Sequence, residues 1–121
     1  MKPFPFLLCL MSFFGCTTAD IRSVDADTFA QIIEDTTVVR LDVRTANEYA
    51  QGHIPGALLI DVTQADFMQK TEQLLPKDKT IALYCRSGRR SKTAAQLLAK
   101  QGYQVIELNT GFNSWKGEVE R

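Results

Sequence analysis

Apolar and polar positions along this chain fall into two alternating rhythms from about Asp20 onward. "DADTFAQIIED" places Phe29, Ile32 and Ile33 at helical spacing, with Asp25 or Asp27 able to cap the start. "VVRLDV" then reads as a strand over Val38 to Val43. "TANEYAQG" predicts a short helix with Thr45 as N-cap and Gly52 at its end. In "HIPGALLID" a turn at Pro55-Gly56 leads into a short apolar strand. "QADFMQKTEQLLP" is a further helix stopped by Pro76. "TIALYC" is almost continuously apolar, as expected of a strand covered on both faces. "SKTAAQLLAKQG" returns to helical spacing, with Ala94, Leu97 and Leu98 on one side and Gly102 past the end. "YQVIELN" is the last strand, and "GFNSWKGE" a final short helix.

Strands that alternate with helices predict an α/β domain over residues 20–121, with a small, mostly parallel sheet. Right-handed crossovers put helices on both faces of such a sheet. Ligands of such sheets sit at the carboxyl ends of the strands. Cys85 stands at that end of the "TIALY" strand.

Composition changes the picture in two places. With 45% hydrophobic and 23% charged residues and a formal net charge of zero, the chain has an ordinary globular make-up. Nothing global draws it to nucleic acid or to an anionic membrane, so anion binding has to be local. The N-terminus departs from this average. "MKPFPFLLCLMSFFGC" carries one cation, Lys2, and then eleven residues from Phe4 to Phe14 that are nearly all apolar. That is too short to span a bilayer, which takes ~20 residues. Residues 1–16 read instead as a secretory signal, with Cys16 after Gly15 as a lipidation candidate of the bacterial lipoprotein kind. Phe13 and Phe14 stand where that box prefers Leu and a small residue; cleavage near Ala19 without a lipid is the alternative. The expected location is the cell envelope, periplasmic or lipid-anchored, and the lipid would be the only link to a membrane.

Export sharpens the count of cysteines. Of Cys9, Cys16 and Cys85, only Cys85 stays as a free thiol in the mature domain. It has no intramolecular partner and is either a small core residue or a reactive group. With one histidine and one such thiol, no usual zinc site can be built, and no cofactor is expected.

The loop "CRSGRRS" argues for reactivity. A free thiol has a pKa of ~8.5 and is mostly protonated at neutral pH. The start of the helix that follows, with its unpaired N–H groups, favours the anion, as do Arg86, Arg89 and Arg90. Gly88 lets the backbone turn so that successive N–H groups converge on the sulfur and on an anionic substrate. Three chemistries use such a cradle. A nucleotide-binding loop needs G-x-x-x-x-G-K-[ST], which is absent. Tyrosine phosphatases place an Arg six positions after the Cys, where this chain has Ser91. The third is transfer of a sulfane sulfur through a persulfide.

Three stretches carry a family resemblance: "LDVRTANEYAQGHIPGA" (Leu41 to Ala57), "YCRSGRRS" (Tyr84 to Ser91) and "LNTGFNSWKGE" (Leu108 to Glu118). Together they resemble a single-domain rhodanese, a thiosulfate sulfurtransferase homology domain. The resemblance implies a rhodanese-like fold and a six-residue active loop, Cys85 to Arg90, in which Cys85 carries the persulfide. It implies that Arg86, Ser87, Gly88, Arg89 and Arg90 bind the donor. The third stretch has Thr110 where the family has the first of two glycines.

Other polar residues have plainer readings. Arg90 is the first expectation for a substrate contact and Arg86 the second, since neighbours on a helix point in different directions. Asp42 and Arg44 are expected to pair near the strand end as supporting residues. Glu48 is expected to hydrogen-bond in the turn region, His53 to be structural rather than a base, and Trp115 to be a packing anchor. The reading is an exported sulfurtransferase that takes sulfane sulfur from a small anionic donor onto Cys85 and passes it to a thiol, cyanide or a protein. Alternatives are a persulfide carrier or binding module serving a protein partner, and, further off, phosphatase or arsenate-reductase-like chemistry.

Overall fold

A computed structural model of the chain describes residues 20–121. The signal over residues 1–16 and the lipidation candidate Cys16 lie outside the described residues. Five strands and four helices follow one another: β1 Asp20–Val24, α1 Ala26–Ile32, β2 Val39–Asp42, α2 Ala46–Gln51, β3 Leu58–Leu59, α3 Phe67–Leu74, β4 Ile81–Tyr84, α4 Arg89–Lys100 and β5 Gln104–Leu108. A single 3-10 turn, Phe112–Ser114, comes last.

The sheet is ordered β1-β5-β4-β2-β3, and every pairing in it is parallel. β4 lies at its centre and is wholly buried, which explains its unbroken apolar run. Alternate residues of the strands feed two cores. Ile81, Leu83 and Cys85 join Leu98, Tyr103 and Phe67 beneath α3 and α4. Ala82 and Tyr84 join Phe29 and Ile33 of the α1 region, with Ile54 and Trp115 packed in. Helices therefore cover both faces, as the alternation of elements predicts.

Local chemistry sets the boundaries. Asp25 caps α1 by accepting from Thr28 N at 2.9 Å, which decides between the two candidate caps. Thr45 and Glu48 form a reciprocal capping box on α2. α4 begins at Arg89, two residues before the helical spacing suggested, because Gly88 is its N-cap. β1 is an addition to the sequence reading. "DIRSV" has no apolar run, since four of its five residues are exposed at the sheet edge, and it takes its register from β5.

The C-terminal motif is a buttress for the loop after β4. Phe112 N donates to Cys85 O at 2.8 Å, and Asn113 N to Arg86 O at 3.0 Å. Gly111 has φ +69 and is pressed against the Arg86 carbonyl so closely that a Cβ there would collide with it. Thr110 needs no such freedom, because no non-glycine residue among the described residues has positive φ. Its hydroxyl donates to Ser114 Oγ at 2.6 Å, so the exchange of the first glycine leaves the turn intact.

Candidate active site

β4 delivers Cys85 to the carboxyl edge of the sheet, and the chain turns at once into α4. Gly88 makes this turn possible. Its φ of +100 is a left-handed conformation, and a Cβ would run into the Asn109 carbonyl. The turn aims the Gly88 N–H at the Cys85 sulfur, 3.1 Å away. Cys85 has no exposed surface; one side of it meets the core and the other meets the loop's polar backbone.

Burial of Cys85 works to raise its pKa. Ser91 and the N–H groups of Gly88 and Ser87 outweigh it and bring the thiol below its ordinary value. The leading support for a thiolate is thus the backbone and Ser91, where the sequence pointed as much to the arginines. Arg90 still feels the charge of Cys85.

The three loop arginines separate. The Arg90 guanidinium is held by Glu48 through two bonds, of 2.8 and 3.0 Å. This pairing is the main cause of a Glu48 pKa pulled down to about 2, against burial, with help from the Thr45 N–H. Glu48 therefore closes its own helix cap and also fixes Arg90, 42 positions away. Arg86 and Arg89 are exposed and have no ion-pair partner among the described residues. Arg86 lines an open cleft of about 200 Å³ with Asn113, Phe112, Gln51, Glu48 and Arg44. Of the two arginines expected to meet substrate, Arg90 is engaged by a carboxylate and Arg86 faces open space.

Beneath this cleft lies the expected Asp42–Arg44 pair. Asp42 is fully buried and Arg44 is 4% exposed. Asp42 Oδ2 accepts from Arg44 Nη2 at 2.8 Å and from Tyr84 Oη at 2.7 Å, while Oδ1 accepts from Arg44 N at 2.9 Å and Nε at 3.0 Å. Arg44 Nη2 also donates to Gly52 O at 2.7 Å, and its guanidinium lies over the Phe112 ring. Burial opposes the Arg44 cation, but the bonds and charge of Asp42 prevail and raise its pKa. The pair thus ties β2, β4, the end of α2 and the C-terminal turn into one platform.

His53 is structural. Its Nδ1 is 2.8 Å from Tyr49 O, its ring stacks on Tyr49, and its backbone pairs with Glu120 in both directions. Trp115 packs edge-on against Phe29. Two residues escaped the sequence reading as parts of the site. Ser91 entered it only as the residue in the place of a phosphatase arginine. Glu107 is the one charged residue of strand β5, 1% exposed, and it accepts from Ser91 Oγ at 2.7 Å. Its signal was a charge at an inward position of an alternating strand.

A thiolate among N–H donors, beside an open cleft lined by Arg44 and Arg86 together with Glu48, can hold an anionic sulfur compound and attack it. Comparison with known proteins agrees with such a build. Residues 25–118 match the rhodanese-like domain. A sulfurtransferase of Allochromatium vinosum is 36% identical over 97 residues, which cover 78% of this chain and 88% of that protein. The thiosulfate sulfurtransferase GlpE of Pseudoalteromonas translucida is 34% identical over 97 residues, covering 75% and 89%. The rhodanese-related protein of Thermoplasma volcanium superposes with a TM-score of 0.71 at 26% identity, covering 82% of this chain and 97% of that one. A rhodanese-like domain protein from Staphylococcus aureus gives 0.70 at 28% identity, with 82% and 96% covered. The fold, the parallel sheet with Cys85 at its carboxyl edge, and the match over 25–118 lead to one assignment: this chain belongs to the rhodanese-like domain family.

Proposed function

We propose that this protein is a sulfurtransferase whose sulfur carrier is Cys85. The observation that supports it best is the cradle itself: a buried sulfur that receives the Gly88 N–H at 3.1 Å and is followed by a helix whose first turn holds no acidic residue. In the first half-reaction the Cys85 thiolate attacks the outer sulfur of a donor such as thiosulfate. The donor's S–S bond breaks, sulfite leaves with the electron pair, and a persulfide remains on Cys85. In the second, a thiolate or cyanide attacks the outer persulfide sulfur, and Cys85 leaves as a thiolate held by the same N–H groups. Neither half needs a strong proton acceptor, in keeping with a structural His53.

A sulfur without exposed surface favours a slender donor with a terminal sulfur over a bulky electrophile. Arg86, which lines the cleft, would meet the donor's anionic end or an acceptor. Arg90, fixed by Glu48, holds a cation near the persulfide without being free to wrap a phosphate. That arrangement, with Ser91 at the sixth position, disfavours phosphatase chemistry. Acceptance by a protein rather than by a small thiol or cyanide is the second reading, and the exposed Arg86 and Arg89 beside the loop support it.

Cys85→Ser tests the mechanism: thiocyanate formation from thiosulfate and cyanide is expected to vanish with the fold kept, and turnover surviving in that variant would refute it. Export to the cell envelope with a lipid on Cys16 is part of the same proposal and rests on the N-terminal sequence. Cys16→Ala is expected to release the protein from membranes, and a variant that still sediments with them would overturn the tether.

A further inference from the structure

The sulfur-transfer steps leave Lys92 without a role, yet its ammonium group stands where three oxygens converge. Lys92 Nζ donates to Gly88 O at 3.2 Å, to Asn109 O at 3.3 Å and to Glu107 Oε2 at 3.3 Å. These oxygens belong to the N-cap of α4, to the residue just past β5, and to β5 itself. An ammonium has three protons, one for each. Glu107 anchors the arrangement. It is 1% exposed, Ser23 Oγ of β1 meets its Oε1, and Ser91 Oγ of α4 meets its Oε2. A carboxylate at this depth is costly without a cation beside it. Lys92 is the one cation paired with it among the described residues.

Gly88 links Lys92 to the site. Its N–H is 3.1 Å from the Cys85 sulfur, and its carbonyl is one of the three oxygens on Lys92. At φ +100 it lies so close to the Asn109 carbonyl that a Cβ would collide with it. That carbonyl is the second oxygen on Lys92. Asn109 is itself fixed to the sheet, its N–H donating to Val24 O at 2.9 Å. One ammonium therefore draws together two carbonyls whose negative ends would otherwise repel each other. α4 has no side-chain cap, so nothing on Gly88 itself fixes this turn.

We propose that Lys92 is a positioning residue for Cys85: by clamping Gly88 to Asn109, it holds the Gly88 N–H on the sulfur. The charges around this clamp are few. Glu107 faces Lys92 from β5, while β1 contributes the neutral Ser23. On the sulfur's side, Arg90 is directed to Glu48 of α2, Arg86 lines the cleft, and the core packed against Cys85 is apolar, with Leu83 and Leu98. The proposal deepens the reading of Cys85 as the sulfur carrier and rests on it. The N–H that holds the resting thiolate is the one that receives Cys85 when the persulfide is discharged, so a loosened Gly88 weakens Cys85 both as nucleophile and as leaving group.

Lys92→Met in the full chain tests this. It keeps the apolar stem and removes the ammonium, at a side chain that is 56% exposed, so the core is not disturbed. Lys92→Gln is the second variant, with the same expectations. Two quantities are followed against pH. The first is Cys85 alkylation by iodoacetamide, read by mass spectrometry on the tryptic peptide Thr80–Arg86, which keeps Cys9 and Cys16 out of the signal. The second is the NMR shift of the Gly88 amide proton, which moves as Cys85 ionises because that N–H lies on the sulfur. In the variants the alkylation midpoint is expected to rise by about half a pH unit, as part of a hydrogen bond to a charged group is lost. The excursion of the Gly88 amide is expected to shrink to less than half. A Gly88 excursion that keeps its full size overturns the proposal: with a raised midpoint Lys92 acts as a bare charge, and with neither changed it is only structural. A midpoint that does not rise overturns it too, as does a Gly88 amide that fails to titrate in the wild type. Both measurements read the thiol whether or not it ever carries sulfur. Failure here therefore leaves the sulfur-transfer reading standing, and loss of that reading leaves these shifts interpretable.

Discussion

Asp42→Asn isolates the interaction that carries the platform under the loop. Asp42 receives four donors on two oxygens, and it is fully buried beside a guanidinium that is itself largely buried. Asparagine keeps the volume but puts an NH2 group where one oxygen was. On the Oδ2 side that group would confront Arg44 Nη2 and the Tyr84 hydroxyl, both donors. It also leaves the Arg44 cation uncompensated. Breaking a buried pair by removing one partner costs roughly 3–5 kcal/mol. The amide keeps one acceptor oxygen and Gly52 O still accepts from Arg44, so the lower end, about 3 kcal/mol, is expected. In a domain of about 100 residues that lowers Tm by more than about 10 °C. Urea unfolding followed by the fluorescence of Trp115, the single tryptophan, measures the loss. The midpoint should fall with an unchanged m-value. A loss under about 1 kcal/mol, the value of an exposed ion pair, would refute the reasoning.

Glu48 gives the protein an acid-sensitive joint. Its folded-state pKa of about 2 lies below its ordinary 4.5, so its contribution is complete above pH 4.5 and is lost as pH falls toward 2. Allowing for solvent around the partly exposed pair, Glu48→Gln should cost about 1 kcal/mol at pH 6 and little near pH 2; equal losses at both, by urea titration, would contradict it. Gly88→Ala should destabilise by about 2 kcal/mol or more, from its positive φ and the crowding at the Asn109 carbonyl, and should raise the Cys85 alkylation midpoint by displacing the Gly88 N–H. A midpoint left unchanged in a folded variant would mean that this N–H does not support the thiolate.

Elements whose formation is local were legible in the chain. Thr45 and Glu48 lie three residues apart, so the cap of α2 can be read from spacing alone. The unbroken run before Cys85 marks a central strand because burial on both faces admits no polar alternation. β1 was not legible, because an edge strand with one buried residue takes its order from its neighbour rather than from its own pattern. The same division runs through the site. Cys85 and Gly88 are three positions apart, and the cradle follows from strand, glycine and helix in succession. The Glu48–Arg90 pair and the Ser91–Glu107 bond join residues 42 and 16 positions apart, and only the packed sheet brings them together. That is why the sequence could rank Arg90 before Arg86 as a substrate contact, while the folded chain assigns Arg90 to a carboxylate and leaves Arg86 facing the cleft.

The central claim is that Cys85 takes up a sulfane sulfur, and intact-mass and peptide mass spectrometry after incubation with thiosulfate test it most directly. The account predicts a gain of one sulfur on the peptide Thr80–Arg86, reversed by cyanide and absent in Cys85→Ser. A wild-type protein that gains no sulfur, or a Cys85→Ser variant that gains it as readily, would contradict the account.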